Sequence, residues 1–566
     1  MKHRLAWLFV VALLGSGCTS EPDEPELPPA QAAFEEFVAA WEERDAAAMQ
    51  ELMARPGGDV ERLFRRELLD DVDFELAVVS VVTKDPDEDA SALETTAEAT
   101  YRIEYSLDGS GSTRRMTGRL PMRFEDGAWS VEWDESAMWP AYPLADGLQV
   151  LKVWPRRAAI LDRRGRTLAA GHAHARRYPF GASAGSTVGH VGVVTRKDAA
   201  EDDRYSVGDL AGASGMELAF DERLAGEPGL RLELRADGKT VTTLARTKPE
   251  RGRPVKTTLD MRLQQAAAGA FGGTTGGAVV LDPSTGDVLA VVTSAELNPA
   301  GYVGARDVQP FNRALSGLYP PGSSLKVMTG AAALETGVVD LRTRLTGPAE
   351  YKGVRNFESG EFGTLDFATA VRFSVNTAFA QIAEDLGAER LTRFARRFGF
   401  NRPPEMALGA ATSSFPRPED EGDLMWGSIG QAQVLATPLQ MATVAATIAN
   451  GGERMEPRIS RAVEPEGERV VSKKTAATMR RLMENVVESG TGTGARIAGV
   501  RVAGKTGTAE VDVDGKRMNH AWFVAFAPAD DPELAVAVVS ELGGVGGQVA
   551  APLARAILQA TLPLAS

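Results

Sequence analysis

Apolar residues recur at helical spacing between about residues 31 and 53, and they alternate with polar residues between 74 and 133. The first pattern predicts amphipathic helices, and the second predicts half-buried strands separated by Asp-Gly turns. Helices followed by a curved antiparallel sheet make a small α+β domain. The helical positions are Phe34, Phe37, Val38, Trp41, Met49, Leu52 and Met53.

Two further regions follow a break in the pattern at Trp139, Pro140 and Pro143. From about 151 to 254 the sequence is rich in loop signals, with a hairpin expected around Asp237-Gly238. From about 255 to 566 it predicts strands near both ends and helices between them, which is again an α+β layout. The expected strands are 278–281, 288–292, 521–526 and 534–539, and the clearest helices are 438–448 and 475–487.

Length and composition are those of a folded soluble protein with more than one core. A chain of 566 residues is too long for a single core, so we expect two to four domains. The hydrophobic content of 43% and the charged content of 25% are ordinary. The formal net charge of −15 argues against a nucleic-acid partner and against electrostatic docking on anionic lipid.

The N-terminus has the composition of an export signal. Residues 2–4 are basic, residues 5–14 form an apolar run, and small residues precede Cys18, the only cysteine of the chain. Ten apolar residues rise about 15 Å as a helix, half of the hydrocarbon core, so a permanent membrane span is not expected. Residues 19–30 are acidic and rich in proline, and they predict an extended tether.

This N-terminus resembles a bacterial lipoprotein signal, in which the thiol of Cys18 is lipidated after cleavage. Gly15 stands where such signals usually have leucine, with Leu14 one position further back. Ordinary secretion and an uncleaved anchor therefore stay open as alternatives. In either of the cleaved cases the protein is expected outside the cytoplasm.

Three short motifs, each present once, carry the candidate chemistry. They supply a serine nucleophile, a base, a proton relay and a cationic strand, the groups needed for acyl transfer through a serine ester. Each motif alone is weak, since a surface helix start, a capping turn or an exposed turn gives the same residues. Their joint presence in this order favours catalysis. The motifs are Ser323-Ser324-Leu325-Lys326, Ser374-Val375-Asn376 and Lys505-Thr506-Gly507-Thr508.

The first two motifs predict the proton transfers. Ser323 is expected to open a helix, which places Lys326 one turn later on the same face. Lys326 can take the serine proton if burial or a second cation, for which Lys505 is the candidate, lowers its pKa. Ser374 is predicted to pass a proton between Lys326 and the leaving amine. Asn376 is predicted to bind a substrate amide and to hold Lys326 in place.

The third motif predicts a substrate-binding strand edge. Lys505, Thr506 and Thr508 offer a cation and hydroxyls to a terminal carboxylate. Gly507 removes a side chain where a substrate has to approach closely. The backbone N–H groups of Ser323 and Thr508 are the expected donors to an oxyanion.

On these motifs the chain resembles the class B penicillin-binding proteins, the serine transpeptidases that cross-link peptidoglycan. The resemblance covers residues 255–566, which it implies are a serine transpeptidase/β-lactamase-like domain with an antiparallel sheet and a helical subdomain. Residues 149–254 resemble the family's dimerisation, or pedestal, domain. Further similar segments are Thr258-Leu259-Asp260, Phe311-Asn312-Arg313-Ala314, Tyr319-Pro320-Pro321-Gly322, Gly430-Gln431, Gly490-Thr491-Gly492-Thr493 and Ala521-Trp522-Phe523.

Residues 31–140 resemble the cone-shaped, nuclear-transport-factor-like domain of the low-affinity subgroup associated with methicillin resistance, and hence with antibiotic resistance. The whole chain is thus expected to be a multidomain α+β protein. It departs from the family at Ala158, at Arg164 and at Ala432, which replaces the second glycine of a Gly-Gln-Gly run.

The resemblance implies a D,D-transpeptidase in which Ser323 attacks the penultimate D-Ala of a stem peptide and is acylated by β-lactams. No metal or cofactor is expected to be needed. A separate glycosyltransferase partner is expected because the sequence shows no recognisable motif of glycan polymerisation, and membrane attachment is expected through a lipid on Cys18. A D,D-carboxypeptidase or a β-lactamase-type hydrolase would share the first step. A non-catalytic scaffold or β-lactam sensor is the alternative from another class.

Overall fold

The computed structural model describes residues 29–55, 59–64, 72–84, 95–107 and 112–565. The chain divides into two compact units, one of residues 1–153 with 229–248 and one of residues 154–228 with 249–566. The predicted signal with Cys18, the tether up to residue 28 and the expected turn at Asp108-Gly109 lie outside the described residues.

In the first unit, helices pack against a four-stranded antiparallel sheet, as the sequence pattern predicts. Phe34, Phe37 and Trp41 are fully buried on one helix face, and the Trp41 ring lies 5.3 Å from the ring of Tyr101. The helices are Ala30–Glu42, Ala46–Glu51 and Asp59–Phe64, and the strands, in sheet order, are Val72–Lys84, Thr96–Leu107, Arg115–Glu125 and Ala128–Val131.

A second sheet of this unit contains the hairpin expected around Asp237-Gly238. Both turn residues have positive φ, 49° and 70°, as a tight two-residue hairpin turn requires. Leu232 and Leu234 are buried in the same core as the N-terminal helices, so the hairpin belongs to the first unit although it comes late in the chain. In sheet order the strands are Ser112–Thr113, Lys239–Arg246, Gly229–Ala236 and Gly147–Val153.

The second unit begins with short elements joined by loops, in agreement with the loop-rich sequence. A buried ion cluster stabilises this part: Glu217 accepts from Arg157 Nε and from Arg176 Nε, each at 2.7 Å. Because all three side chains are buried, each charge has its counter-charge in contact. The strands are Ile160–Leu161, Thr167–Ala169, Val191–Val193, Leu210–Gly212, Gly226–Glu227, Glu250–Arg251 and Val255–Lys256, and the helices are Gly185–Val188, Arg196–Glu201, Gly215–Ala219 and Asp221–Ala225.

A five-stranded antiparallel sheet forms the centre of the second unit. Its strands come from both ends of the region 255–566, as predicted, and three of them, Gly276–Leu281, Val288–Thr293 and Leu534–Ser540, are continuous apolar runs. Successive side chains point to opposite faces, and both faces are covered, so every position of the run is buried. In sheet order the strands are Val288–Thr293, Gly276–Leu281, Leu534–Ser540, Lys516–Ala527 and Ala503–Val513.

Helices cover this sheet on both faces. Met261–Phe271 and Ala550–Ala565 pack on one face, where Ala278 and Val280 lie in their core. The other face carries the large helical part of the region, with Val279 and Leu281 in its core. The helices of this part are Lys326–Glu335, Phe367–Arg372, Asn376–Leu386, Ala388–Arg397, Glu421–Ser428, Pro438–Ala449 and Lys473–Ser489, and its short strands are Arg344–Gly347, Glu350–Tyr351, Val354–Arg355, Gly363–Asp366, Glu453–Met455 and Gly467–Arg469.

The predicted helices at 438–448 and 475–487 are confirmed within one or two residues of their bounds. Among the residues that the structure describes, no helix is both long and apolar enough to cross a membrane.

Candidate active site

Ser323 lies in a 3-10 turn, Gly322–Leu325, that leads directly into the helix Lys326–Glu335. The helix start predicted at Ser323 is therefore present, with a tighter first turn. Gly322 has φ 52°, its N–H donates to Gly430 O at 2.8 Å, and a Cβ on it would lie 2.6 Å from Thr508 O. The glycine thus lets the nucleophile turn lie directly against the edge strand that carries the third motif.

Lys326 connects the first motif to the second. Its Nζ lies 2.8 Å from Ser374 O, 2.5 Å from Asn376 Oδ1 and 3.3 Å from Ser374 Oγ. Asn376 is held in turn by donating from Nδ2 to Arg355 O at 2.7 Å. The ring of Phe379 lies 5.1 Å from Nζ and forms part of the apolar surroundings.

Lys505 connects the third motif to the second. Its Nζ donates to Ser374 Oγ at 2.8 Å and to Thr506 O at 3.0 Å. Ser374 Oγ therefore lies between the two lysine nitrogens, which is the position expected of a proton relay. Ser374 has φ 58°, a left-handed conformation that is uncommon outside glycine and is concentrated at functional sites.

Burial and mutual repulsion separate the protonation states of the two lysines. Both side chains are fully buried, and burial lowers the pKa of Lys505 to about 7. Burial lowers the pKa of Lys326 well below its usual range, and the charge of Lys505 lowers it further. Since that repulsion acts while Lys505 is charged, Lys326 is the first of the pair to lose its proton.

A neutral Lys326 has two N–H donors and one lone pair. The carbonyl oxygens of Ser374 and Asn376 can take both donors, which leaves the lone pair free to accept a proton. In the part of the chain that the structure describes, no hydrogen bond joins Lys326 Nζ to Ser323 Oγ. Catalytic hydrogen bonds are often long in the free protein and shorten when substrate binds.

The hydroxyls of the third motif already have partners. Thr506 Oγ1 lies 2.7 Å from Thr491 Oγ1, and Thr508 Oγ1 accepts from Gly546 N at 3.2 Å. Thr506 is buried and Thr508 is partly exposed, so Thr508 is the more accessible of the two to a ligand. The motif lies inside the strand Ala503–Val513, at the edge of the sheet, and so the predicted strand edge is present.

Gly507 is required by the protein's own packing. A Cβ at this position would lie 2.6 Å from Pro321 O and 2.9 Å from Trp522 Cβ, closer than such contacts normally permit. A side chain at Gly507 is thus excluded because the segment that leads into the nucleophile turn lies directly against this glycine. The approach of a substrate at Gly507 stays a prediction.

Sequence reasoning assigned no role to several residues that shape this site. Thr491 bonds to Thr506, and Trp522 donates from Nε1 to Pro320 O at 2.9 Å, just before the nucleophile turn. Both lie in segments that carried the family resemblance, which was the available signal. Ala432, noted as a departure, has φ 56°, a conformation in which glycine is less strained.

Comparisons with known proteins agree with this architecture in all three regions. Residues 276–559 match the family described as the penicillin binding protein transpeptidase domain. Residues 170–257 match the penicillin-binding protein dimerisation domain, and residues 29–143 match the NTF2-like N-terminal transpeptidase domain.

Curated relatives show the same similarity over most of the chain. The chain is 33% identical over 440 residues to the peptidoglycan D,D-transpeptidase MrdA of Acinetobacter baumannii, covering 68% of this chain and 65% of that relative. It is 36% identical over 397 residues to the peptidoglycan D,D-transpeptidase PbpA of Mycobacterium tuberculosis, covering 62% of this chain and 80% of that relative.

Solved structures are similar as well. The crystal structure of PBPA from Mycobacterium tuberculosis superposes with a TM-score of 0.58 at 33% identity, covering 72% of this chain and 98% of that one. The structure of Pseudomonas aeruginosa PBP2 in complex with WCK 5153 gives a TM-score of 0.64 at 31% identity, covering 73% of this chain and 96% of that one.

Proposed function

This chain belongs to the penicillin-binding protein transpeptidase family, and we propose that it cross-links peptidoglycan stem peptides as a serine D,D-transpeptidase. One observation carries the proposal: Ser374 joins two buried lysines, Lys326 and Lys505, in a continuous chain of polar contacts beside the turn that holds Ser323. Such a chain can remove a proton from a nucleophile and return it to a leaving amine.

In the first step, Ser323 Oγ attacks the carbonyl of the penultimate D-Ala, and its proton passes to Lys326. The tetrahedral oxyanion is stabilised by the backbone N–H groups of Ser323 and Thr508. Lys326 then passes this proton through Ser374 to the amine of the terminal D-Ala, which leaves as the peptide C–N bond breaks. The acyl group is left as an ester on Ser323.

In the second step, an amine of a neighbouring stem peptide attacks this ester, and the same groups act in reverse. Lys505 and the hydroxyl of Thr508 hold the terminal carboxylate of the donor before it is cleaved, with Thr506 keeping the strand in place through Thr491. The protonated form of Lys505 suits this role, since it offers the carboxylate a buried positive charge.

Product analysis separates transfer from hydrolysis. We expect the purified protein, given a stem pentapeptide and an acceptor amine, to release D-Ala and to form the cross-linked product. The reason is that the acceptor amine attacks the ester on Ser323. Mass spectrometry of the products with and without acceptor makes the measurement. Free tetrapeptide as the only product, whatever the acceptor concentration, would contradict transpeptidation and favour a D,D-carboxypeptidase.

We further propose that the mature protein is a lipoprotein held at the outer face of the membrane through Cys18. The export-type composition before Cys18 and the acidic tether after it support the proposal. The intact mass of protein from a bacterial host is expected to be that of a chain starting at a lipidated Cys18, and Cys18→Ala should lack the lipid. A mature chain that starts beyond Cys18 would contradict it.

We propose a separate glycosyltransferase partner that polymerises the glycan strands which this enzyme cross-links. The proposal rests on the sequence, in which no motif of glycan polymerisation accompanies the transpeptidase motifs.

A further inference from the structure

Glu541 is a carboxylate that the proposed chemistry does not use, although it lies against the segment leading to the nucleophile. It directly follows the strand Leu534–Ser540 of the central sheet. Its Oε1 accepts hydrogen bonds from the Tyr319 hydroxyl and from Arg313 Nε, the latter at 3.0 Å. One oxygen thus ties two points of the segment before Ser323 to the end of a central strand.

Tyr319 stands at the middle of these contacts. Its ring packs edge-on against His520, with ring centroids 5.3 Å apart, and against Trp522, at 6.1 Å. Trp522 in turn donates to Pro320 O and pairs with Gly507 of the neighbouring edge strand. The ring is therefore in contact with the strand that carries Trp522 and, through it, with the third motif.

The hydroxyl of Tyr319 is available to Glu541 at every relevant pH. Burial raises the pKa of Tyr319, and the neighbouring carboxylate raises it further, so the hydroxyl keeps its proton and donates it to Glu541. Arg313 supplies the counter-charge, and both members of this ion pair are about one-fifth to one-quarter exposed. Loss of Glu541 would leave Tyr319 without its acceptor and Arg313 without its counter-charge.

The position of the nucleophile turn matters because the reaction joins groups from different segments. Ser323 comes from the turn, and Thr508 comes from the edge strand. A misplacement of about 1 Å in such an arrangement can cost about 10²-fold in rate.

We propose that Glu541 is a positioning residue for acylation, holding Arg313 and Tyr319 so that Ser323 is correctly placed against the strand that carries Thr508. The proposal rests on the proposed function, and it concerns the rate of the covalent step. Glu541 does not touch the reacting atoms and is expected to leave the initial binding of a ligand unchanged.

The test is stopped-flow acylation of the full-length protein by a fluorescent penicillin, resolved into the acylation rate constant k2 and the dissociation constant Kd of the initial complex. We expect Glu541→Ala to lower k2 by about 30- to 100-fold with Kd changed less than about threefold. Tyr319→Phe removes only the hydroxyl and keeps the ring, and it should lower k2 by about tenfold.

One double variant and one conservative single variant give two further tests. Tyr319→Phe should have little further effect in the Glu541→Ala background, because the two side chains act through one hydrogen bond. Glu541→Gln keeps an oxygen acceptor for Tyr319, and it should recover most of the lost k2.

Asp287→Ala is the matched control. Asp287 forms a more deeply buried ion pair with Arg458, at 2.6 Å, near the end of the sheet away from Ser540. It should lower thermal stability without changing k2. If Glu541→Ala behaved in the same way, or raised Kd with k2 unchanged, the positioning role would be refuted and the proposed function kept. A wild type that neither formed an adduct nor turned over a D-Ala-D-Ala peptide would contradict both.

Discussion

Ser323→Ala is expected to abolish the covalent adduct with penicillin, lowering the rate of adduct formation by about 10⁴-fold or more. The reason is chemical, since alanine has no hydroxyl that could form the ester at this position. Labelling of the purified protein with a fluorescent penicillin, followed by denaturing electrophoresis and peptide mapping, makes the measurement.

The control is Ser324→Ala, a substitution at the neighbouring serine. Its Oγ donates to Pro321 O at 2.6 Å and is buried, so its loss should cost the fold about 1 kcal/mol and leave the adduct in place. An adduct that persisted in Ser323→Ala would assign the nucleophile to another residue. An adduct absent from both wild type and variant would require turnover of a D-Ala-D-Ala peptide to be measured directly.

Lys326→Met is expected to lower the acylation rate by about 10²–10⁴-fold, the usual contribution of a general base. Methionine fills the volume of the lysine stem in this fully buried position, and it removes only the amine. The variant should therefore fold at least as well as the wild type, and a loss of rate reports on the chemistry.

The pH dependence gives a second readout for Lys326. Its pKa is lowered, and its neutral form is the base, so the wild-type rate should fall as pH drops below that pKa and should rise above it. With a substrate that carries a terminal carboxylate, kcat/KM should fall again as free Lys505 loses its proton above about pH 7. The profile is thus bell-shaped, and the acid limb should disappear in Lys326→Met.

Lys352→Ala is the matched control for this pair of measurements. Lys352 is about half exposed and pairs with Glu384 and Glu421 on the surface of the same unit. It should change neither the rate nor the profile. An acid limb that survived in Lys326→Met would transfer the role of base to another group.

The features that the sequence predicted well depend on residues close together in the chain. The spacing of Ser323 and Lys326 places them one turn apart, and the apolar runs of the central strands reveal two covered faces. The strand edge predicted for the third motif is present as the strand Ala503–Val513. Its partner strand ends at Ala527, directly before Pro528, which has no N–H to continue the ladder.

Contacts between residues far apart in the chain could not be predicted from the pattern of either segment. Ser374 and Lys505 meet across 131 residues, and no local pattern shows that contact, which was expected only from the chemistry of the combined motifs and from the family resemblance. Glu541 had no signal at all, because a single glutamate after an apolar run is typical of a strand end on the surface. Likewise, the packing of Gly507 against Pro321 depends on a turn far away in the chain.

The two buried lysines also have a cost for the fold. In the unfolded chain both amines keep their ordinary proton affinity, whereas in the folded protein burial lowers their pKa values. The unfolded chain therefore binds more protons at pH values between the folded and the unfolded pKa, and the free energy of unfolding decreases as pH falls through this window. For Lys505 the window reaches from the ordinary lysine range down to about 7. The same burial that prepares these amines for catalysis thus makes them a source of instability, which the packing of the rest of the unit has to offset.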